Sequence, residues 1–376
     1  MAESIFSFFA GAGLLDLGFE QNGYNIVMVN EYNNRFMHAY QYARNIQNFR
    51  QPIYGYQECS VDEFLSEKNA FLHEKIAIER ANGNVVGFIG GPPCPDFSVA
   101  GKNLGRNGKN GVLAQSYVDL IINCQPDFFV FENVKGLVKT VVHRQYYEEL
   151  KIKLTQSGYI LKDSVLNALS YGVAQDRERI FLIGIRNGFA TGTKYTKEDG
   201  EYAFIWDKYA LFKDVNAVKK LPWASKQQFI ENSKRRWPKE LESIYNELAV
   251  ETWFRRNDVY SHPNGQDVFK VKAGLGKMQT IEEGDVSRKS FKRLHRWRFS
   301  PTAAYGNNEV HLHPYLVRRL SVAETMAIQS LPKWFVLPPD MTLTDKFKVI
   351  GNGVPVKVSI AIARSLKEII EDIIGG

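Results

Sequence analysis

The chain has few cysteines and no long apolar run. Its 376 residues include three cysteines, Cys59, Cys94 and Cys124, and none of them forms a CxxC pair. A disulfide framework and a zinc site are therefore disfavoured, and a reducing cytoplasm is the expected compartment. No run reaches 18 apolar residues, which argues against a membrane span, and the first residues have the wrong flanks for a signal peptide. Internal repeats and low-complexity segments are also lacking.

The excess of positive charge is confined to one segment. The net charge is +7, and residues 187–342 carry 25 Lys and Arg against 18 Asp and Glu, whereas the rest of the chain is balanced. This asymmetry predicts a polyanion-binding module within a neutral enzyme body, although random surface charge is the alternative.

Up to residue 186, apolar strands alternate with helical stretches. The strand segments are SIFSFFAG, NIVMVNE, VVGFIGGPP, PDFFVFENV, GYILKDSVLNA and ERIFLIGIR. The alternation predicts an α/β fold with a mostly parallel sheet. Gly11, Glu31, Cys94 and Glu132 come at or just after the ends of four of these strands. They should share the edge of the sheet where ligands bind in such folds.

After residue 186 the alternation stops. Five of the six tryptophans lie in 187–300, beside the basic clusters SKRRWPK and SRKSFKRLHRWR. Further on, Ser321 and Glu324 have the spacing of a helix capping box. The tail VPVKVSIAIARSLKEII is predicted to form an amphipathic helix docked on the first domain. We expect a catalytic domain of residues 1–186 plus 343–376 and a second domain of residues 187–342.

The turn FFAGAGLLDLGF lets a cofactor approach the backbone closely. A dinucleotide site of the GxGxxG type needs a third glycine, but Asp16 stands at that position. Glu31, 20 residues after Gly11, can accept hydrogen bonds from ribose hydroxyls. The turn therefore suits a nucleoside without a pyrophosphate, such as S-adenosylmethionine, with a plain tight turn as the alternative.

Cys94 lies among prolines in the stretch GGPPCPDFS, ahead of a glycine-rich loop. The prolines restrict the backbone and so aim the thiol, and the bases Lys102 and Arg106 favour its nucleophilic thiolate form. The loop suits a lid that closes over a substrate. A purely structural cysteine is the alternative, and Cys124, within an apolar helix, fits that description better.

Glu132 ends an apolar run, so its carboxyl should be partly desolvated and should retain its proton more easily. It could act as a general acid toward a ring nitrogen, with a helix N-cap as the alternative. Arg177 and Arg179 have the spacing of side chains on one face of a strand. Two guanidiniums there could hold a carboxylate, a phosphate or a base carbonyl, with a surface salt bridge as the alternative.

Taken together, these segments closely resemble the motifs of the DNA cytosine-5 methyltransferase family of the prokaryotic restriction-modification type. The matching segments, in order, are FAGAG, GGPPCPDFS, ENV, QDRER, RRLSVAE with IQSLP, and VIGNGVPVKV. The resemblance covers about 1–186 and 316–365. It implies a Rossmann-like S-adenosylmethionine-dependent methyltransferase fold with a mixed, mostly parallel sheet, plus a smaller irregular target-recognition domain formed by the basic segment.

The resemblance also implies residue roles in the methylation of C5 of cytosine in a short sequence of double-stranded DNA. Cys94 would attack C6 of a flipped-out cytosine, Glu132 would contact N3 and the exocyclic amine, and Arg179, supported by Arg177, would hold O2. The implied cofactor is S-adenosylmethionine, with no metal. Its contacts would be Phe9, Gly11, Ala12, Gly13, Leu14, Glu31, Tyr32, Ser60, Val61, Pro93, Leu113, Asn352 and Val354. The expected DNA contacts are Ser98, Lys102, Arg106, Arg288, Lys289, Lys292, Arg293, Arg296 and Arg298.

The chain departs from the family pattern at three positions. Pro95 follows the nucleophile where Gln or Asn is usual, and Gly353 replaces a frequent serine. Ser60 stands where an adenine-binding aspartate is usual, with Asp62 two residues on, which puts the adenine contact in doubt.

Several alternatives remain beside DNA methylation. The transfer-RNA branch of the fold usually carries a CFT-type signature, but this chain has SPTAAYGNNEV there. A catalytically inactive relative and a nicotinamide dehydrogenase are disfavoured by the intact motifs and by Asp16. A monomer is expected, and a cognate restriction endonuclease would act on the same site without direct contact.

Overall fold

A computed structural model of the chain describes residues 2–93, 109–193, 204–235, 246–270, 274–288, 290–302 and 311–375. The strands are β1 Glu3–Phe8, β2 Asn25–Asn30, β3 Tyr56–Gln57, β4 Val85–Gly90, β5 Phe128–Val134, β6 Tyr159–Asn167, β7 Gln175–Asp176, β8 Glu178–Arg186, β9 Lys292–Arg293, β10 Ser300–Pro301 and β11 His311–Leu312. The helices are α1 Leu14–Glu20, α2 Asn34–Ile46, α3 Asn69–Ala81, α4 Lys109–Cys124, α5 Gly136–Lys139, α6 Val141–Gln156, α7 Asn187–Ala190, α8 Val215–Lys220, α9 Val250–Arg256, α10 Leu275–Thr280, α11 Val322–Ile328, α12 Leu343–Asn352 and α13 Val356–Gly375. Short 3₁₀ helices cover Val61–Leu65, Ala168–Tyr171 and Asn246–Leu248.

Seven strands form one sheet in the order β3-β2-β1-β4-β5-β8-β6. Every neighbouring pair is parallel except those of β8, which runs antiparallel to both β5 and β6. The carboxyl ends of β1, β2, β4 and β5 therefore lie along one edge, called here the active edge. The order reverses between β1 and β4, and ligands bind at such a switch point in open α/β sheets.

Both faces of the sheet are covered, which explains the nearly continuous apolar runs of its strands. One face carries Ile5, Ile89 and Val130, which cluster with residues of α1 and α13. The other carries Phe6, Phe88 and Phe129, which cluster with residues of α3, α4 and α6. Successive strand residues thus alternate between two buried faces.

The C-terminal helix α13 packs directly against α1. A Cβ added at Gly18 would lie closer than 3.0 Å to atoms of Ser359 and Ile360. Ser359 donates a hydrogen bond to the Leu15 carbonyl, and Tyr24 donates one to the Ala363 carbonyl at 3.0 Å. This confirms the expected docking of the tail on the first domain.

The basic segment returns to the α/β body beside β8. β10 pairs with β7, immediately before β8 in the chain. A cluster of Val250, Trp253 and Leu294 extends onto Ala327 and Ile328 of α11. Residues 322–341, which were predicted to belong to the second domain, also share a cluster with residues of the first turn and α1.

Among the described residues, one helical stretch, Leu343–Gly375, is long and apolar enough to cross a membrane. This stretch comprises α12 and α13, and 67% of its apolar 18-residue window is buried inside the protein, as in the core helix of a compact domain.

The predicted fold class and the six predicted strands are confirmed, and so is the capping box at Ser321. The two-residue strand β3 and the helices α3 and α6 were not singled out, since β3 is too short and too polar to show a period. The Trp237 region, 236–245, lies outside the described residues.

The close approach of α1 and α13 predicts a penalty for any side chain at position 18. Gly18→Ala should lower the free energy of unfolding by about 1–3 kcal/mol, because one helix must move away from the other. Urea unfolding followed by circular dichroism would measure this. The control is Gly276→Ala in α10, where an added Cβ meets nothing within 4 Å. Equal losses in the two variants would contradict the packing argument.

Candidate active site

The turn after β1 has an unusual backbone. Phe9, Gly11 and Gly13 all have positive φ, at 53°, 58° and 76°. Such values cost little for glycine but are rare for phenylalanine, and such strain occurs often at ligand sites. The Phe9 ring is held edge-on to Tyr117, with the ring centroids 5.8 Å apart. A Cβ added at Gly11 would touch only Val349, at 3.8 Å, so a ligand can approach the backbone here.

Glu31 joins the ends of β1 and β2. Its Oε2 accepts a hydrogen bond from the Gly11 amide at 2.8 Å, and its Oε1 accepts one from the Asn33 amide, also at 2.8 Å. Burial raises the pKa of Glu31, and these backbone hydrogen bonds offset part of that shift. The carboxylate is thus fixed at the active edge beside the first turn, as predicted from the sequence.

An open groove of about 560 Å³ lies next to Glu31. Its lining residues are Tyr32, Asn33, Asn34, Arg35 and Glu58. The Tyr32 side chain is exposed, so its ring is available to a flat ligand. The groove therefore opens beside the residue that follows Glu31 in the chain.

Ser60 and Val61 begin the 3₁₀ helix after β3. Ser60 caps this helix in a capping box with Glu63, and its hydroxyl donates to Asp62 Oδ2 at 3.0 Å. Val61 is buried in the core, on the same face of the sheet as Phe8. The structure therefore places Ser60 and Asp62 side by side, whereas the family pattern has one aspartate.

The strand β4 ends beside Glu132. A Cβ added at Gly91 would lie 2.7 Å from Glu132 Oε2, and Asn133 donates to the Pro92 carbonyl at 3.4 Å. Cys94 follows Pro93 directly but lies outside the described residues, as do Ser98, Lys102, Arg106 and Lys289. Gly91, which is three residues before Cys94 in the chain, therefore lies next to Glu132.

Glu132 is buried and faces Arg179. Arg179 Nε lies 3.2 Å from Glu132 Oε1. Burial raises the pKa of Glu132, and the charges of Arg179 and Arg177 offset part of the rise. The carboxyl is therefore poised to carry a proton, as expected from its place after an apolar run.

Arg177 reaches a different partner. It lies between β7 and β8 and is buried, and its Nη2 donates to the carbonyls of Gly351 and Gly353 at 2.7 and 2.9 Å. It therefore ties the start of β8 to the last motif. If Arg177 supports a bound base as predicted, it does so while its guanidinium is bound to these two carbonyls.

The last motif lies against the first turn. A Cβ added at Gly353 would lie closer than 3.0 Å to Leu14. Asn352 is exposed, Val354 is buried, and Leu113 packs against the core behind Phe9. A serine at position 353, as in the family pattern, would therefore require the Leu14 side chain to move.

Two of the predicted DNA contacts are wrong for this structure. Arg293 is 0% exposed and donates to the carbonyls of Ile281, His313, Leu316 and Met278. Arg296 is 3% exposed and forms a bidentate pair with Glu283, Nε–Oε1 at 2.7 Å and Nη2–Oε2 at 2.9 Å. Both guanidiniums are bound to partners in the interior and cannot grip phosphates. Arg288, Lys292 and Arg298 remain exposed or half-exposed.

The buried contacts of Asp16 and the whole role of Arg44 were not predicted from the sequence. Asp16 accepts hydrogen bonds from the Ser7 and Tyr40 hydroxyls, both at 2.9 Å. In α2, Arg44 falls on the buried face with Phe36, Tyr40 and Ala43. A charged residue on an apolar face is the signal that would have found it.

Within the part of the chain that the structure describes, no group of three or more His, Cys, Asp or Glu side chains could hold a metal ion.

The sequence matches the family described as C-5 cytosine-specific DNA methylase over residues 4–368. It is 50% identical to the Type II methyltransferase M.NmeDI of Neisseria meningitidis serogroup C, over 98% of this chain and 84% of that protein. It is 30% identical to the Type II methyltransferase M.FnuDI of Fusobacterium nucleatum, over 98% of this chain and 95% of that protein.

Solved structures have a similar fold. A prophage-encoded DNA modification methyltransferase candidate of E. coli superposes with a TM-score of 0.65 at 20% identity, over 98% of this chain and 99% of that chain. The S. pombe Dnmt2 methyltransferase gives a TM-score of 0.60 at 11% identity, over 98% of this chain and 99% of that chain. At these identities the likeness shows the fold alone.

The buried position of Asp16 predicts a pH effect on stability. Burial raises its pKa to about 6, although Arg44 lowers it and Glu20 raises it further. An aspartate in an unfolded chain has a pKa of about 3.9, so the neutral form is favoured in the fold. The contribution of this group is complete below about pH 4 and is lost as the pH rises through about 6.

Asp16→Asn mimics the neutral acid and should remove this pH dependence. The free energy of unfolding of the wild type minus that of the variant should fall from pH 4 to pH 7, by on the order of 3 kcal/mol. Urea unfolding at a series of pH values measures it. A difference that stays constant over this range would contradict the raised pKa.

Proposed function

Because the chain belongs to the C-5 cytosine-specific DNA methylase family, we propose that it transfers a methyl group from S-adenosylmethionine to C5 of cytosine in a short sequence of double-stranded DNA. The observation that carries the proposal is the meeting of Glu132, Arg179 and the end of β4 at one place. The cofactor turn and Glu31 stand on the same edge of the sheet.

The reaction proceeds by a covalent adduct between Cys94 and the base. The Cys94 thiolate attacks C6 and forms the S–C6 bond, while Glu132 protonates or hydrogen-bonds N3. C5 would then take the methyl group of S-adenosylmethionine, with S-adenosylhomocysteine as the leaving group. A base would remove the C5 proton, the S–C6 bond would break to release the Cys94 thiolate, and any proton on N3 would return to Glu132. Since C6 lies inside the stack of a duplex, the cytosine must be flipped into the pocket, at a cost of a few kcal/mol.

Support for the role of Glu132 comes from its environment. Its pKa is raised by burial, so its carboxyl retains a proton more readily than an exposed glutamate and is suited to donate to a ring nitrogen. Arg179, 3.2 Å away, keeps Glu132 oriented and can donate to the O2 carbonyl of the base. Arg177 acts on this site through the Gly351–Gly353 backbone and through its charge near Glu132.

The residues present fit S-adenosylmethionine, which supplies an electrophilic methyl group. Phe9, Gly11, Ala12, Gly13 and Leu14 form the turn that faces it, and Glu31 accepts from its ribose hydroxyls. Tyr32 offers a ring to its adenine, with Ser60 and Val61 beside it. Pro93, Leu113, Asn352 and Val354 complete the set carried over from the family.

We assign the basic segment, trimmed to about 187–320, to target recognition. Support comes from its excess charge and from the packing of residues 322–341 with the first turn and α1. The residues left to contact DNA are the exposed and half-exposed bases Arg288, Lys292 and Arg298, with Lys234 on the neighbouring loop. Lys289, Ser98, Lys102 and Arg106 stay predicted DNA contacts.

Arg296, one of the buried arginines of this segment, stabilises a neighbouring loop instead of contacting DNA. Arg296 Nη1 donates to the Ser233 carbonyl at 2.7 Å, directly before Lys234. Arg296 therefore holds the loop that presents this exposed lysine.

RNA cytosine methylation is less well supported. The two relatives described above, at 50% and 30% identity, carry the name Type II methyltransferase, and the matching family is described as a DNA methylase. We therefore place the protein in the cytoplasm of a bacterium, as the modification enzyme of a restriction-modification system. It would act as a monomer, and a cognate endonuclease would read the same site without contacting it.

The chemistry is tested by variants of the nucleophile and the acid. In cells that express the wild type, bisulfite sequencing should show methylated cytosine at one short motif, and Cys94→Ala should abolish it. Glu132→Gln should lower kcat by about 10²–10⁴-fold, because a proton donor is lost. Cys124→Ala removes a buried thiol at the far end of α4 and should keep the pattern. Methylation by Cys94→Ala would rule out the adduct, and none by the wild type would rule out the activity.

Substitutions of basic residues that contact DNA and of basic residues buried in the interior should give two distinct phenotypes. Lys292→Ala and Arg298→Ala should each reduce the slope of log affinity against log salt by about 1, as loss of a phosphate contact does. Arg296→Met should instead lower the free energy of unfolding by about 3–5 kcal/mol, since Glu283 is left buried and without its ion-pair partner. Fluorescence anisotropy at several salt concentrations and urea unfolding measure the two. An unchanged slope in both alanine variants would remove these residues from the DNA surface.

A further inference from the structure

A buried arginine stands directly behind the cofactor turn. Arg44, in α2, has a side chain only 2% exposed, and its guanidinium lies over the Tyr40 ring, 3.6 Å from the centroid. It belongs to none of the motifs that carry the proposed function. A charge buried this deeply is costly unless every donor has a partner.

Arg44 has its partners in the turn itself and in α1. Its Nη1 donates to the Ala12 carbonyl at 3.2 Å, and its Nη2 donates to the Gly13 carbonyl at 3.0 Å. Its Nε and Nη2 also pair with the two carboxylate oxygens of Glu20, at 2.9 and 2.8 Å. One planar group therefore fastens the start of α1 to its end.

These contacts help to set the direction of the peptide planes in the turn, together with the Leu17 N–H, which donates to the same Gly13 carbonyl at 3.0 Å. In a trans peptide the carbonyl and the following N–H point in opposite directions. Because the Gly13 carbonyl points at Arg44, the Leu14 N–H points to the opposite side of the turn. That side is the one left open for the cofactor, since the rear is filled by Arg44 and Tyr40.

The glycine at position 13 is explained by the same contact. An added Cβ there would lie closer than 3.0 Å to the Tyr40 ring and to both terminal nitrogens of Arg44. Tyr40 is held in place in turn, because its hydroxyl donates to Asp16 Oδ2 at 2.9 Å. The side of the turn that faces Arg44 and Tyr40 is therefore closely packed.

We propose that Arg44 is a positioning residue for the cofactor: it fixes the Ala12–Leu14 peptides in the orientation that S-adenosylmethionine requires. The proposal rests on the proposed function, in which the Phe9–Leu14 turn holds this cofactor. Arg44 touches neither the cofactor nor the base, so it should govern the affinity for the cofactor and leave the chemical step intact.

The test compares the wild type with Arg44→Met and Arg44→Lys. Titration calorimetry with S-adenosylmethionine gives the Kd, and methylation kinetics give kcat and both KM values. Arg44→Met should raise the Kd and the KM for S-adenosylmethionine about 10-fold or more, the effect of losing charge-assisted hydrogen bonds to two carbonyls. The kcat at saturating cofactor and the KM for DNA should stay within about 2-fold. Arg44→Lys, which can keep one contact, should fall in between.

Arg186→Met is the matched control. Arg186 pairs with Asp127 at the opposite edge of the sheet, so its loss removes another arginine–carboxylate pair, one with a more exposed arginine, away from the turn. It should lower the thermal unfolding temperature but leave the Kd for S-adenosylmethionine unchanged. If Arg186→Met weakens cofactor binding as much as Arg44→Met, the effect is general destabilisation and the proposal is overturned.

The other possible outcomes of this experiment also either support or overturn the proposal. An unchanged Kd in both Arg44 variants, with a wild type that binds and methylates, overturns the positioning role and leaves the proposed function standing. A wild type that binds no S-adenosylmethionine overturns the proposed function itself. If Arg44→Met does not fold, Arg44→Lys settles the question: a raised Kd with unchanged kcat supports the role, and wild-type values for both refute it.

Discussion

The reversed direction of β8 decides where the arginines of the active edge stand. Because β8 runs antiparallel to β5 and β6, its first residues reach the edge at which its neighbours in the parallel part of the sheet end. Val134 pairs with Arg179, so Arg179 lies diagonally opposite Glu132 on the same face. In a parallel strand the last residue, Arg186, would stand there instead. Strand direction thus creates the one acid–arginine contact on which the proposed chemistry depends.

The start of β8 also gathers parts of the chain that are far apart in sequence. The short strand just before it pairs with Ser300–Pro301, where the basic segment returns. Arg177 holds Gly351 and Gly353, and Gly353 in turn packs on Leu14 of the first turn. The start of β8, the returning basic segment and the first turn are therefore linked by direct contacts.

Much of this was predictable from the sequence, because the central strands are long apolar runs and their ends carry unusual polar residues. Gly11, Glu31 and Glu132 could be placed on one edge from topology alone. The positions of the buried basic residues could not be predicted. Arg293 and Arg296 sit in a run of bases that looks like a surface patch, and only tertiary contacts with Glu283 and with backbone carbonyls separate them from Lys292 and Arg298. Arg177 and Arg179 likewise look equivalent in sequence and differ only in what lies across from them.

The packing of α13 on α1 has a consequence for the order in which the molecule can form. The first strand and helix bury Ile5, Leu15 and Phe19 against side chains that come at the end of the chain, among them Val358 and Ile370. During synthesis these early residues wait exposed while several hundred others are added. Within the basic segment, by contrast, Met278, Ile281 and Leu312 form a small cluster from residues that lie close together in sequence. A chain that ends before α13 therefore leaves Ile5, Leu15 and Phe19 without the partners that cover them.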